Sequence, residues 1–239
     1  MNIRLGRCLT LALAIAAPLL TAAGGERVDR LVTDFDLIAF NTEFGPPMDG
    51  KVHKWTRGLR VFLDIRAGPA ELQRRYTEDH ARLLHRLTGL DIGFSTNTAG
   101  ANVVIVFDTA DRLIGSVNRY LDRPIGSWKE LHGSLCFGLY AVSGGSEISF
   151  AAIGIPSDMV LSLGKLQDCV IEEFTQILGL PNDSDQVYPS VFNDHSPQVN
   201  LSDDDETLVR LLYNPRLTPG MPRAQALKEV RAILEEGEL

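Results

Sequence analysis

The chain has 239 residues, 44% of them hydrophobic, with 31 acidic against 23 basic side chains and a formal charge of −8. That length is enough for one domain with a large core and a small appendage. The acidic balance argues against nucleic acid and against an anionic membrane face as partners.

The first segment stands outside the predicted fold. Arg4 and Arg7 precede the apolar run Leu9 to Leu20, and Thr21-Ala22-Ala23 supplies small residues for cleavage, so residues 1–23 read as a secretory signal peptide. The apolar run is short for a membrane span. Cys8 lies before it, which leaves no cysteine placed for a lipid anchor. The mature chain is expected to begin near Gly24, to be periplasmic or secreted, and to carry no membrane segment after cleavage. Two cysteines remain, Cys136 and Cys169. An even count in an exported chain points to one disulfide between them rather than two buried thiols.

Val28 to Phe40 carries Leu31, Phe35, Ile38 and Ala39 at helical spacing. A loop with Gly45-Pro46-Pro47 follows. Leu59 to Ile65 alternates as a strand, with Trp55 just before it. Pro69 to Leu87 reads as a helix stopped by Gly89. Ile92 to Ser95 is a short strand, and Asn102 to Phe107 is apolar almost throughout, as expected of a strand covered on both faces. Asp108 to Ser134 is mixed and predicts a long connection with a helical turn or two. Leu135 to Val142 and Glu147 to Ile153 flank Ser143-Gly144-Gly145-Ser146, a hairpin signal. Pro156 to Leu163 suggests a short helix.

The next stretch, Cys169 to Gly179, is the most informative. Val170, Ile171, Phe174, Ile177 and Leu178 make much of its circumference apolar, yet Glu172, Glu173 and Gln176 sit within it. Glu172 and Gln176 share a face, and Glu173 falls on the apolar side. Carboxylates in such a place are costly unless something pairs with them. Ser184 to Asn200 is then a polar loop. Ser202 reads as an N-cap before Asp203, Asp204 and Asp205. Pro222 to Glu236 is a final amphipathic helix, appended as residues 222–239 to a main domain of residues 24–221. The sum is an α+β fold.

Other constellations carry less. His80 and His85 are five apart and cannot share a helix face as ligands. His195 is expected to be an exposed loop histidine. Adjacent Glu172 and Glu173 point about 100° apart, which suits no glycosidase pair. The acids Asp203 to Glu206 read as capping, and Asn182-Asp183-Ser184-Asp185 as a turn rather than a calcium loop.

The order of these segments resembles the metzincin type of zinc metallopeptidase, matrixins especially, whose core helix carries HExxHxxGxxH or HExxHxxGxxD. Position by position, Glu172 stands at the first histidine, Glu173 at the general base, Gln176 at the second histidine, Gly179 at the glycine and Asn182 at the third ligand, followed by Asp183. Ser190-Val191-Phe192 resembles the Met-turn, with Phe192 in place of methionine, and Leu201 to Tyr213 resembles the closing helix. The chain is also similar to an uncharacterised family of exported bacterial proteins, over Trp55 to Met221, in which an EExxQ helix, an LGLPND turn and an FND segment recur.

The resemblance implies a zincin-like mixed sheet whose core helix bears a degenerate motif. Zinc prefers imidazole and thiolate, whereas Glu172, Gln176 and Asn182 offer oxygen, which suits harder ions. No zinc and no cofactor are therefore expected, and without zinc nothing activates a water for Glu173. The implied function is an inactive scaffold whose groove takes a peptide or an envelope protein. The alternatives are an active hydrolase using Glu173 as general base at an atypical metal site, and a structural envelope protein.

Overall fold

The computed structural model describes residues 17–44, 48–131 and 134–239, with side chains described from residue 24 onward. Its centre is β3 (Val103–Asp108), all six residues of which are buried. Side chains alternate across a strand, so β3 feeds two cores at once. Val103, Ile105 and Phe107 enter the larger apolar cluster, and Val104 and Val106 enter the smaller one on the opposite face. Around it lie β1 (Leu59–Ile65), β2 (Ile92–Ser95), β4 (Phe137–Val142) and β5 (Ile148–Pro156), in the order β2-β1-β3-β5-β4. The pairs β1–β2, β1–β3 and β3–β5 are parallel, with Leu63 beside Ile105 and Ile105 beside Ile153. Only β4 runs antiparallel, as the edge strand beside β5.

The fold is α+β, a five-stranded mixed sheet with seven α-helices among the described residues. On the larger-cluster face, α2 (Ala70–Thr88) packs against α5 (Leu166–Gln176) and α6 (Asp203–Tyr213). The remaining helices are α1 (Ala17–Ala39), α3 (Ala110–Val117), α4 (Ser157–Ser162) and α7 (Arg223–Glu236), with a 3-10 turn at Trp128–Leu131. Strand positions follow the alternation closely. Three helix limits differ from those read in the sequence. The first helix begins at Ala17 rather than Val28, so it runs through the segment expected to be cleaved, while residues 1–16 of that segment lie outside the described residues. The connection after β3 holds a true helix, α3, whose Leu113 and Val117 are buried against the sheet. The core helix begins at Leu166 and ends at Gln176, because its last turn tightens: Leu178 N–H bonds Thr175 O at 3.1 Å and Gly179 N–H bonds Gln176 O at 3.0 Å. Ala226, Val230 and Ile233 of α7 join the larger cluster, so residues 222–239 share its core.

Among the described residues, no helix is long and apolar enough to cross a membrane. Cys136 and Cys169 form a disulfide with a Cα–Cα distance of 5.9 Å, tying the residue before β4 to the first turns of α5. The other end of α5 is clamped by polar contacts. Trp55 Nε1 donates to Ile177 O at 2.8 Å, and Tyr213 Oη donates to Leu178 O at 2.9 Å. Gly179 lies at φ +116, and a Cβ there would sit 2.0 Å from His53 O. Only glycine fits both the backbone angle and the gap. Lys54 is buried beside this clamp, where its ammonium bonds Leu212 O at 3.0 Å and Leu217 O at 2.5 Å, the carbonyls that end α6 and the turn after it.

Candidate functional site

α5 is therefore fixed at both ends, and its acidic side chains Asp168, Glu172 and Glu173 line a cleft of about 300 Å³ beside the start of β4. The cleft is lined by Glu43, Leu135, Glu172, Glu173, Val191 and Asp194, among others. Glu173 is 1% exposed and points at β4. Gly138 of β4 makes room for it: a Cβ on that residue would lie 3.0 Å from Glu173 Oε2 and 3.0 Å from Ile177 Cγ2. The carboxyl thus sits between helix and edge strand with its Oε2 unpartnered.

Three further segments bring acids to the same place. Glu43, in the connection after α1, is held by its own N–H on Pro181 O at 3.1 Å, and its carboxylate accepts from Ser134 Oγ. Asp183, after the Gly179 turn, accepts from Gln176 Nε2 at 2.7 Å through Oδ1, while its buried Oδ2 has no partner. Asp194 comes from the loop before α6. One carboxylate oxygen each from Glu172, Asp183 and Asp194 lie within 4.8 Å of one another. The loop that carries Asp194 is pinned from below by Asp205, which accepts from Ser190 Oγ at 2.5 Å and from Val191 N at 3.2 Å while also accepting from Ser202 N at 2.8 Å in the capping box of α6. Phe192 is fully buried in this turn.

Crowding and burial disfavour the ionised forms of these groups. Desolvation, helped by neighbouring acids, pushes the Glu43 carboxyl up to about 8 and that of Asp183 up to about 6. The carboxyls of Glu172 and Glu173 are raised well above the usual range, first by desolvation and then by nearby acids, Glu173 foremost for Glu172 and Glu43 foremost for Glu173. The Gly138 amide offsets part of this at Glu173. Among the described residues lining the cleft the single lysine or arginine is Lys165, and it is engaged by Asp168 at 2.5 Å.

Of the side chains singled out in the sequence, Glu172, Glu173, Gln176 and Asp183 come together. Asn182 does not join them. Its Nδ2 turns the other way, to Leu37 O at 3.0 Å and Asp183 O at 2.8 Å, and Asp183 faces Gln176 in its stead. His195 is an exposed loop residue paired with Asp185 at 2.8 Å. His80 is buried against Thr175 Oγ1 at 2.9 Å, and burial pushes its ring down to about 3. His53 contacts Asp49 at 3.2 Å, His85 bonds Leu90 O, and His132 lies outside the described residues. Glu43, Ser134 and Asp194 were not anticipated. They arrive from irregular segments with no periodicity to mark them, and only the FND segment hinted at Asp194.

Chemically the cluster is uniform. Every ligand-capable side chain in it offers oxygen. The Cys136 sulfur lies near Glu172 and Glu173, but it is spent in the disulfide and supplies no thiolate. Such a set shares protons, holds a hard cation, or meets a cationic group; it is a poor zinc centre. The family model described as protein of unknown function (DUF2927) matches residues 29–235. No curated protein matches the chain.

Proposed function

The chain belongs to the DUF2927 family, and we propose that it is an exported, zincin-like protein that binds an extended peptide or protein segment without cleaving it. The observation that carries this reading is the donor set on and after α5. Glu172, Gln176 and Asn182 align with the positions at which a metallopeptidase of this type carries imidazoles, and no histidine among the described residues joins the cluster that Glu172 and Gln176 make with Asp183. Glu173 is also ill placed as a general base. A base must be ionised at working pH, whereas burial among acids raises this carboxyl and disfavours its ionised form.

The binding half of the proposal rests on the edge strand. Among the described residues β4 pairs with β5 alone, so its outer edge offers main-chain donors and acceptors to an added strand. The cleft runs beside its start, with Leu135 and Val191 as apolar wall. Export is supported by the disulfide, which persists in oxidising compartments.

The test uses the untagged protein and a pool of unstructured peptides. Peptides should be retained by the wild type and by Glu173→Ala, released by Leu135→Asp, and left uncut by all three. Cleavage by the wild type that disappears in Glu173→Ala would establish the hydrolase alternative instead. A protein that retains no peptide would favour the purely structural alternative.

A further inference from the structure

We infer that Glu172, Asp183 and Asp194 form a binding site for a hard divalent cation of calcium size, backed by the buried carboxyl of Glu173. Three oxygens no more than 4.8 Å apart all lie within about 2.8 Å of a common point (4.8 Å divided by √3), so small side-chain rotations bring them to calcium–oxygen distances of about 2.3–2.6 Å. Magnesium, at about 2.0–2.1 Å and with strict octahedral demands, fits this spacing less well. The absence of nitrogen and thiolate donors among these side chains disfavours zinc.

Acidic clusters are common, and this one is set apart by its unpartnered oxygens. Four buried side-chain polar atoms lack a partner among the described residues, and two of them are here: Glu173 Oε2 and Asp183 Oδ2. Glu173 is 1% exposed, lines the same cleft, and has a carboxylate oxygen within 4.8 Å of one on Glu172. A carboxylate oxygen of Glu172 lies within 4.8 Å of one on Asp183, close enough for both to reach one ion. The ligands are also prearranged. The Gln176 amide takes Asp183 Oδ1 and leaves Oδ2 free to coordinate, Asn193 Nδ2 anchors the Asp194 loop on Val187 O at 2.9 Å, and Asp205 holds the turn before it. Lys165 is the one lysine or arginine lining the cleft among the described residues, and it is engaged by Asp168 rather than by the cluster.

This inference stands apart from the peptide-binding reading, because metal binding is measured with no peptide present. Untagged protein stripped with chelator is titrated calorimetrically with calcium chloride, and separately with magnesium and zinc chloride. The expected result is one saturable calcium site with a dissociation constant of about 10⁻³ M or tighter, and magnesium at least about tenfold weaker. Glu172→Gln, Asp183→Asn and Asp194→Asn should each weaken calcium at least about tenfold, while their chelated forms keep the wild-type circular dichroism. Asp194 is exposed, so its variant reports on the site even if a buried one unfolds. Asp203→Asn, an exposed acid at the start of α6, should leave the affinity unchanged. No saturable calcium binding at about 10 mM, stoichiometric zinc in preference to calcium, or equal losses in Asp203→Asn would overturn the assignment.

Discussion

Reducing the Cys136–Cys169 bond removes the covalent tie between the start of β4 and α5 while leaving both sulfurs in place. The bond closes a sequence separation of 33 residues. In the chain-entropy account the denatured ensemble then regains about 2.1 + 1.5R ln 33, or about 12.5 cal/mol/K, which is about 3.7 kcal/mol at 25 °C. For a chain of this size about 1 kcal/mol moves the melting midpoint by about 2–4 °C, so reduction should lower it by about 7–15 °C. The assay is urea and thermal unfolding of oxidised and reduced wild type, with the double variant Cys136→Ala/Cys169→Ala as a second measure that adds the loss of two buried sulfurs. Both cysteines line the cleft, so the same samples report whether the tie matters to ligand binding. A drop of less than about 1 kcal/mol in the reduced wild type would refute the reasoning: it would mean that the unfolded chain is already constrained between these residues, or that the folded one is relieved of strain when they part.

Other perturbations separate the remaining contributions. Gly179→Ala should cost more than about 3 kcal/mol by urea unfolding, since the new Cβ meets the His53 carbonyl at 2.0 Å and flexible atoms are not there to yield; a loss below about 1 kcal/mol would show that the His53–Trp55 segment moves freely. Lys54→Met should cost about 2–4 kcal/mol, because it strips charge-assisted bonds from the carbonyls of Leu212 and Leu217 and leaves them buried; a neutral result would mean that water reaches them. His80 has its ring pushed down to about 3 from 6.5 by burial. Between those values the unfolded chain takes up a proton that the folded one refuses, so the group's contribution to stability is lost as pH falls. The stability of wild type relative to His80→Asn should therefore fall by about 2–3 kcal/mol from pH 6.5 to pH 4, and a difference flat with pH would place water against the ring.

The strands were readable because their signal is local. β1 and β2 have the limits that alternation and β-branched residues suggest, and β3 is displaced by one residue from the apolar run. The capping box of α6 was visible as Ser202 followed by acids. α5 began earlier than expected for a physical reason: Lys165 precedes it without a side-chain cap, so nothing in the sequence announces the start. α3 has only eight residues, too few turns for a helical period to stand out within a mixed stretch. At the site, the helix signal placed Glu172, Glu173 and Gln176 correctly on a buried helix, because i, i+4 geometry is fixed once a helix is assumed. Beyond the glycine the chain follows no period, and counting positions chose Asn182 where the turn delivers Asp183. Glu43 and Asp194 converge from connections far apart in sequence, a relation that belongs to the folded chain alone.

The cluster itself poses an energetic question that bears on whether it has a use. A buried acceptor left without a partner costs about 1–3 kcal/mol, and a buried charged group replaced by an apolar one of similar volume is often neutral or stabilising. Glu173 Oε2 carries that cost, while Leu or Met at Glu173 would extend the apolar face already made by Val170, Phe174 and Ile177. Stability alone therefore gives no reason for a glutamate at this position. The surroundings are nonetheless built to accept it: Gly138 clears the space, the Gln176 amide orients Asp183, and the disulfide fixes the distance between helix and edge strand. Such a provision follows if the carboxyls are satisfied by something bound. Glu173→Leu consequently separates the two states of the protein. It should raise the stability of the chelated form by about 1–3 kcal/mol and reduce the further stabilisation that calcium confers. A variant less stable than the wild type without metal would mean that the buried carboxyl is already satisfied within the fold, and that the cluster is a structural network.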